Sequence, residues 1–248
     1  MLLGGFVAGS ASRRAILRRH EADREEAAVE AAFHSGATVD GAVRRAVIPQ
    51  GRTQDTPPAE LRRRVESLKS GTYIDDIIGA QDSALYRWRA PSAEGVRVWI
   101  EPTSVAPGWE AAYPEIARSA FGEWSDAGFP VPFAFVSDSA GADLTIRWRE
   151  RFPDEDGQRI GVTERIQTSQ FWIRAARIQI ANHDSAGHLL PSRTVAGILR
   201  HEIGHALGLN HADDATSVMY REAATSTISP SDRATLRLIY LLPPGSLR

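Results

Sequence analysis

The chain has 248 residues, 42% of them hydrophobic, which is enough for a real core in one large or two small domains. Its 29 basic residues nearly balance 31 acidic ones, leaving no electrostatic case for nucleic acid or for a membrane surface. Cysteine is absent, which excludes disulfides and thiolate metal sites alike.

At the N-terminus an apolar run from Leu2 to Ala8 is followed by the small residues Gly9, Ser10 and Ala11. A secretory signal carries its basic residues before the apolar run, whereas Arg13, Arg14, Arg18 and Arg19 come after it. The run is also far shorter than the roughly 20 apolar residues that span a bilayer. Residues 15–33, rich in Ala, Glu and Arg, predict a charged, solvated helix without an apolar stripe, and His20 and His34 read as surface residues of this polar segment. Residues 51–58 (GRTQDTPP) form a linker by composition, and a short helix is expected over 59–69. In GTYIDDII, Asp75 and Asp76 stand among Ile74, Ile77 and Ile78. The segment reads as an amphipathic element packed on the domain; the alternative is a carboxylate delivered to a metal to hold an enzyme latent.

From residue 96 the pattern becomes that of a packed domain. Val96, Val98 and Ile100 alternate with Arg97 and Trp99, a strand signature. Tyr113, Ile116, Ala117, Ala120, Phe121 and Trp124 then draw one apolar stripe along a helix. Strands are expected over 133–136 and 142–148, the second with Leu144, Ile146 and Trp148 inward, and over 160–166 and 175–181. Asp154, Glu155, Asp156 and Gly157 could contribute to a calcium (Ca2+) loop, although so short an acidic run is ordinarily a solvated turn. His183 and His188, with Asp184 between them, read the same way, because two loop histidines do not define a tetrahedral zinc site. A helix capped by Ser192 follows, with Val195, Ile198, Leu199, Ile203 and Ala206 on its apolar arc. Later, Ser229, Pro230 and Asp232 supply an N-cap hydroxyl, a proline at N1 and an acid at N3 for a last helix that ends at Pro243 and Pro244.

The stretch from His201 to Tyr220, HEIGHALGLNHADDATSVMY, carries the chemistry. His201 and His205, four residues apart, share one helix face and can converge on a single ion. Gly208 can take φ > 0 at the helix end, so that the chain turns and brings His211 to the same ion from another direction. Three imidazoles and one open position make a catalytic zinc (Zn2+) site, in which Glu202 is the general base. The chemistry implied is hydrolysis by a metal-activated water.

This stretch resembles the metzincin zinc-protease signature, HExxHxxGxxH followed by a methionine turn, and within that clan it is most similar to the matrixin branch. The resemblance covers roughly residues 85–243 and implies an α+β, zincin-like domain: a mixed, twisted five-stranded sheet with zinc helix, Met-turn and C-terminal helix, preceded by a mostly helical N-terminal segment. It thus divides the chain into residues 1–84 and a protease domain, 85–248. It implies a zinc endopeptidase with Met219 as the hydrophobic floor of the site, extended peptides as substrates, and work outside the cell or in its envelope. In that fold the backbone at Ile160 to Thr163 would pair with an extended peptide. Arg221 and Ala212 depart from the matrixin pattern, and the structural zinc of matrixins finds no histidine near Gly161 to Thr163 or at Gln179. A monomer without nucleic-acid partner or membrane span is expected. A zinc-holding scaffold without turnover and an amidase acting on cell-wall peptides are the competing readings.

Overall fold

A computed structural model describes residues 38–40, 43–48, 55–89, 95–153, 159–221 and 227–248, together with Arg24 and Ala27 as helical positions. The remainder of the expected helix over 15–33, the N-terminal apolar run, His20, His34 and the acidic stretch Asp154, Glu155, Asp156 and Gly157 lie outside the described residues.

In chain order the elements are β1 (Thr38–Asp40), β2 (Val43–Ile48), α1 (Pro58–Leu68), α2 (Ile74–Ala80), β3 (Ala84–Leu85), β4 (Arg87–Trp88), β5 (Val96–Ile100), α3 (Tyr113–Ala127), β6 (Phe133–Phe135), β7 (Leu144–Arg149), β8 (Gly161–Thr168), β9 (Trp172–Ala181), α4 (Ser192–Ala206), α5 (Pro230–Leu241) and β10 (Gly245–Ser246). The fold is α+β with a mixed sheet. The five expected strands are β5 to β9, and among the described residues three more join them, so the sheet there has eight strands and not five. Its order is β1-β2-β8-β9-β7-β5-β6, with β4 also paired to β9. Among the described residues of this sheet, β1 with β2 and β8 with β9 run antiparallel and the other pairs parallel. β3 and β10 form a separate small sheet.

The apolar rows read from the sequence become the core. Val96, Val98 and Ile100 of β5 and Leu144, Ile146 and Trp148 of β7 are buried, as are Tyr113, Ala117, Ala120, Phe121 and Trp124 of α3. α3 and α4 are tied together where the Trp124 indole donates to the carbonyl of Arg200 at 2.9 Å. Gly128, with φ of 113°, stops α3 in a left-handed cap. The expected Ser192 cap is not formed. Pro191 holds the N-cap position of α4, and the Ser192 hydroxyl donates instead to Glu110 at 2.9 Å. The cap of α5 is as expected, a reciprocal capping box between Ser229 and Asp232.

α1 and α2 precede residue 85 in sequence yet belong to the same core. Leu61, Val65, Ile74 and Ile77 are buried in the cluster that also holds Leu199, Ile203 and Met219. Asp75 and Asp76 face outward, Asp75 pairing with Lys69 at 2.9 Å, so this segment is the amphipathic element of the first reading. No helix of the described residues is long and apolar enough to cross a membrane.

Candidate metal centre

α4 brings His201 and His205 to one face, one turn apart, with ring centroids 4.6 Å apart and Nε2 atoms 3.0 Å apart. The helix ends at Ala206, and Gly208, at φ of 111°, reverses the chain. A side chain at Gly208 would also collide with the carbonyl of Tyr86, 2.8 Å from where its Cβ would stand. The reversal places the His211 ring 5.4 Å from that of His201 and 4.9 Å from that of His205. One nitrogen from each of the three rings lies within 4.8 Å of the others, the only such cluster of three or more His, Cys, Asp or Glu side chains among the described residues.

The second ring nitrogens set the tautomers. His201 Nδ1 lies 2.7 Å from the carbonyl of Val218, and His205 Nδ1 lies 3.1 Å from that of Leu209. A carbonyl can only accept, so each Nδ1 carries the proton and each Nε2 presents its lone pair to the shared centre. Burial lowers the pKa of all three rings. His205 goes well below the ordinary value, with its two neighbouring imidazoles adding to burial; His211 falls to about 4, with His201 and Arg221 contributing after burial. Neutral, pre-oriented imidazoles are what a divalent zinc takes as ligands, so the donor set fits that ion.

Glu202, next to His201 on α4, is buried against β8. The Thr163 hydroxyl, from β8, donates to Glu202 Oε2 at 2.6 Å and also lies 3.0 Å from the Glu202 carbonyl. Gly161, two residues earlier on β8, leaves room for the carboxylate: a Cβ there would stand 2.4 Å from Oε1. Burial pushes the Glu202 carboxyl up to about 8, opposed by the Thr163 hydrogen bond and the charge of Arg159.

Behind the imidazoles, Met219 is fully buried and packs on Gly204, between the two helical histidines. Its turn is held from α5. Asp232 accepts from the Ser217 hydroxyl and, at 3.0 Å, from the Val218 amide, whose own carbonyl engages His201. The phenol of Tyr73 donates to the same carboxylate at 3.0 Å.

Sequence reasoning identified the three histidines, Glu202 and Met219, and the fold brings them together. It read Asp232 only as a helix cap, and it missed Thr163 and Arg165. The available signal was the inward row of β8, Gly161, Thr163, Arg165 and Gln167, which is fully buried and yet carries three polar side chains. The peptide-pairing edge expected at Ile160 to Thr163 is taken by another strand at Thr163. β2 runs parallel along the outer edge of β8, with Val43 opposite Thr163 and Ile48 opposite Thr168. His183 and His188 remain outside the centre. His188 pairs with Asp184 at 3.1 Å, and His183 lies 2.9 Å from the Asn182 side chain.

The chain is 30% identical over 114 residues to metalloendoproteinase 1-MMP of Arabidopsis thaliana, an overlap that takes in 42% of this chain and 30% of that relative. The chain therefore corresponds to less than a third of the relative's length. The family model for matrixin matches residues 102–241, a stretch that runs from the end of β5 through all three histidines to the last residue of α5. That match takes in more than half of the sequence, and on it the chain belongs to the matrixin family.

Proposed function

We propose that the protein is a zinc-dependent endopeptidase in which His201, His205 and His211 hold the ion and Glu202 is the general base. The observation that carries this reading is the convergence of three neutral imidazoles beside a buried carboxylate. When bound, zinc supplies Lewis-acid chemistry, lowering the pKa of a water to about 7 and polarising a peptide carbonyl. Glu202 takes the proton of the attacking water and returns it to the leaving amine. The Thr163 hydroxyl fixes which carboxylate oxygen is free to do so, because Oε2 is already engaged.

The substrate is a peptide or protein chain, met by a monomer without nucleic acid and, by family resemblance, outside the cell or in its envelope. Residues 85–248 carry the catalytic groups; residues 58–80 contribute packing to the same body. Pairing with β2 starts at Thr163, so a peptide lying along β8 has the backbone of Gly161 and Val162 before it meets that strand.

Glu202→Gln is expected to keep stoichiometric zinc and to lose hydrolysis by roughly 10²–10⁴-fold or more, since it removes proton transfer without removing a ligand. His205→Ala is expected to lose both. Metal analysis together with mass-spectrometric profiling of a diverse peptide library, with and without chelator, reads both outcomes. Stoichiometric zinc in the wild type without any cleavage would instead identify a metal-holding scaffold, and cleavage confined to cell-wall peptides an amidase.

A further inference from the structure

The turn that carries His211 back to the centre is held by side chains from all around the fold. The Trp88 indole donates to the carbonyl of Ala206 at 2.8 Å, the Tyr240 phenol to that of Leu207 at 2.8 Å, and the Gln81 amide to that of Gly208 at 3.2 Å. Arg165 differs from these. Its guanidinium donates through Nη1 to the carbonyl of His205 at 2.9 Å and through Nη2 to the side chain of Asn210 at 3.3 Å. It therefore spans the reversal, from the helical turn that bears the second imidazole to the residue next to the third.

Arg165 is completely buried on the inward row of β8. A buried cation is costly, and its acceptors include the carbonyl at the negative end of α4 and the amide oxygen of Asn210. Two side-by-side acceptors suit the planar fork of an arginine and not the single ammonium of a lysine.

We infer that Arg165 is a positioning residue for the metal centre, fixing His211 against His201 and His205 by clamping the His205 carbonyl and Asn210 in one frame. The inference rests on the reading that the three histidines bind a divalent ion. Electrostatics alone makes the opposite prediction. A positive charge near a dication weakens its binding, so removing Arg165 would tighten zinc if charge were its main contribution, and loosens zinc if positioning is.

The test compares the full chain with Arg165→Met and Asn210→Ala, singly and combined. Zinc affinity is read by competition with a chromophoric chelator, the ligand geometry by the visible spectrum of the cobalt(II)-loaded protein, and folding by circular dichroism and thermal melting. Each single variant is expected to bind zinc about 10–100-fold more weakly, as loss of a group that orients a ligand typically does, and to alter the cobalt spectrum. The double variant is expected to lose little more than either one, because both act through the same clamp. Folded variants with unchanged or tighter zinc and a wild-type cobalt spectrum would overturn the inference. If Arg165→Met fails to fold, Asn210→Ala decides alone, since it removes an acceptor while keeping the buried charge. A wild-type protein that binds neither metal would instead sink the zinc reading itself.

Discussion

At the scale of single residues, the proposed base sits in surroundings that cost stability. In the metal-free fold, burial pushes the Glu202 carboxyl up from an ordinary 4.5 to about 8. Folding at neutral pH must therefore either desolvate its charge or take up a proton. Its contribution to stability is complete below about pH 4.5 and declines as pH rises through about 8. At pH 7 the difference amounts to roughly 3 kcal/mol in chelator-treated protein. Glu202→Gln removes it, so the metal-free variant is expected to melt above metal-free wild type at pH 7 to 8, with the gap closing toward pH 4.5. Melting curves that coincide throughout would show that the carboxyl reaches water. The histidines and Glu202 were legible because their spacing has few other uses. Thr163 and Arg165 were not, because a threonine and an arginine in a strand ordinarily face solvent, and only the position of α4 over β8 reveals that these do not.

At the scale of elements, the strands and helices with strong periodicity were legible within a few residues, from the alternation in β5 and β7 to the capping residues of α5. β2 was not. The segment VRRAVI has no clear alternation, and its extended state comes from pairing with β8, a tertiary effect that overrides local propensity. The cap of α4 shifted from Ser192 to Pro191 for a comparable reason, the hydroxyl being recruited by Glu110. β2 takes the hydrogen-bonding edge of Thr163 to Thr168 that an extended peptide would also use. A chain starting at residue 51 is expected to cleave long peptides with KM lowered about tenfold, equivalent to about 1.4 kcal/mol of recovered pairing, and to treat short peptides that stop at Val162 as the full chain does. Steady-state kinetics on a length series measures this, and equal KM values for all lengths would mean that β2 and substrate do not share the edge.

For the molecule as a whole, the family resemblance carried by the histidine motif implied the α+β class, but not how far the core reaches toward the N-terminus. α2 was legible as an amphipathic element packed on the domain, whereas α1 offers few apolar side chains and read only as a short helix after a linker. Yet Leu61, Val65, Ile74 and Ile77 are buried with the residues under the metal centre. At about 1.5–3 kcal/mol for each buried aliphatic side chain, these four match much of the 5–15 kcal/mol by which a domain is stable. A chain starting at Ser83 is therefore expected to lose cooperative thermal unfolding and not to gain activity; a sharp calorimetric transition in that fragment would contradict it. Asp232 joins distant parts of the chain still more tightly, since one carboxylate caps α5 and also braces the turn whose carbonyl orients His201. During synthesis all three imidazoles leave the ribosome before this carboxylate does. A nascent chain thus carries all three histidines without the brace that aims the first one, and the centre reaches its described geometry only once α5 has docked.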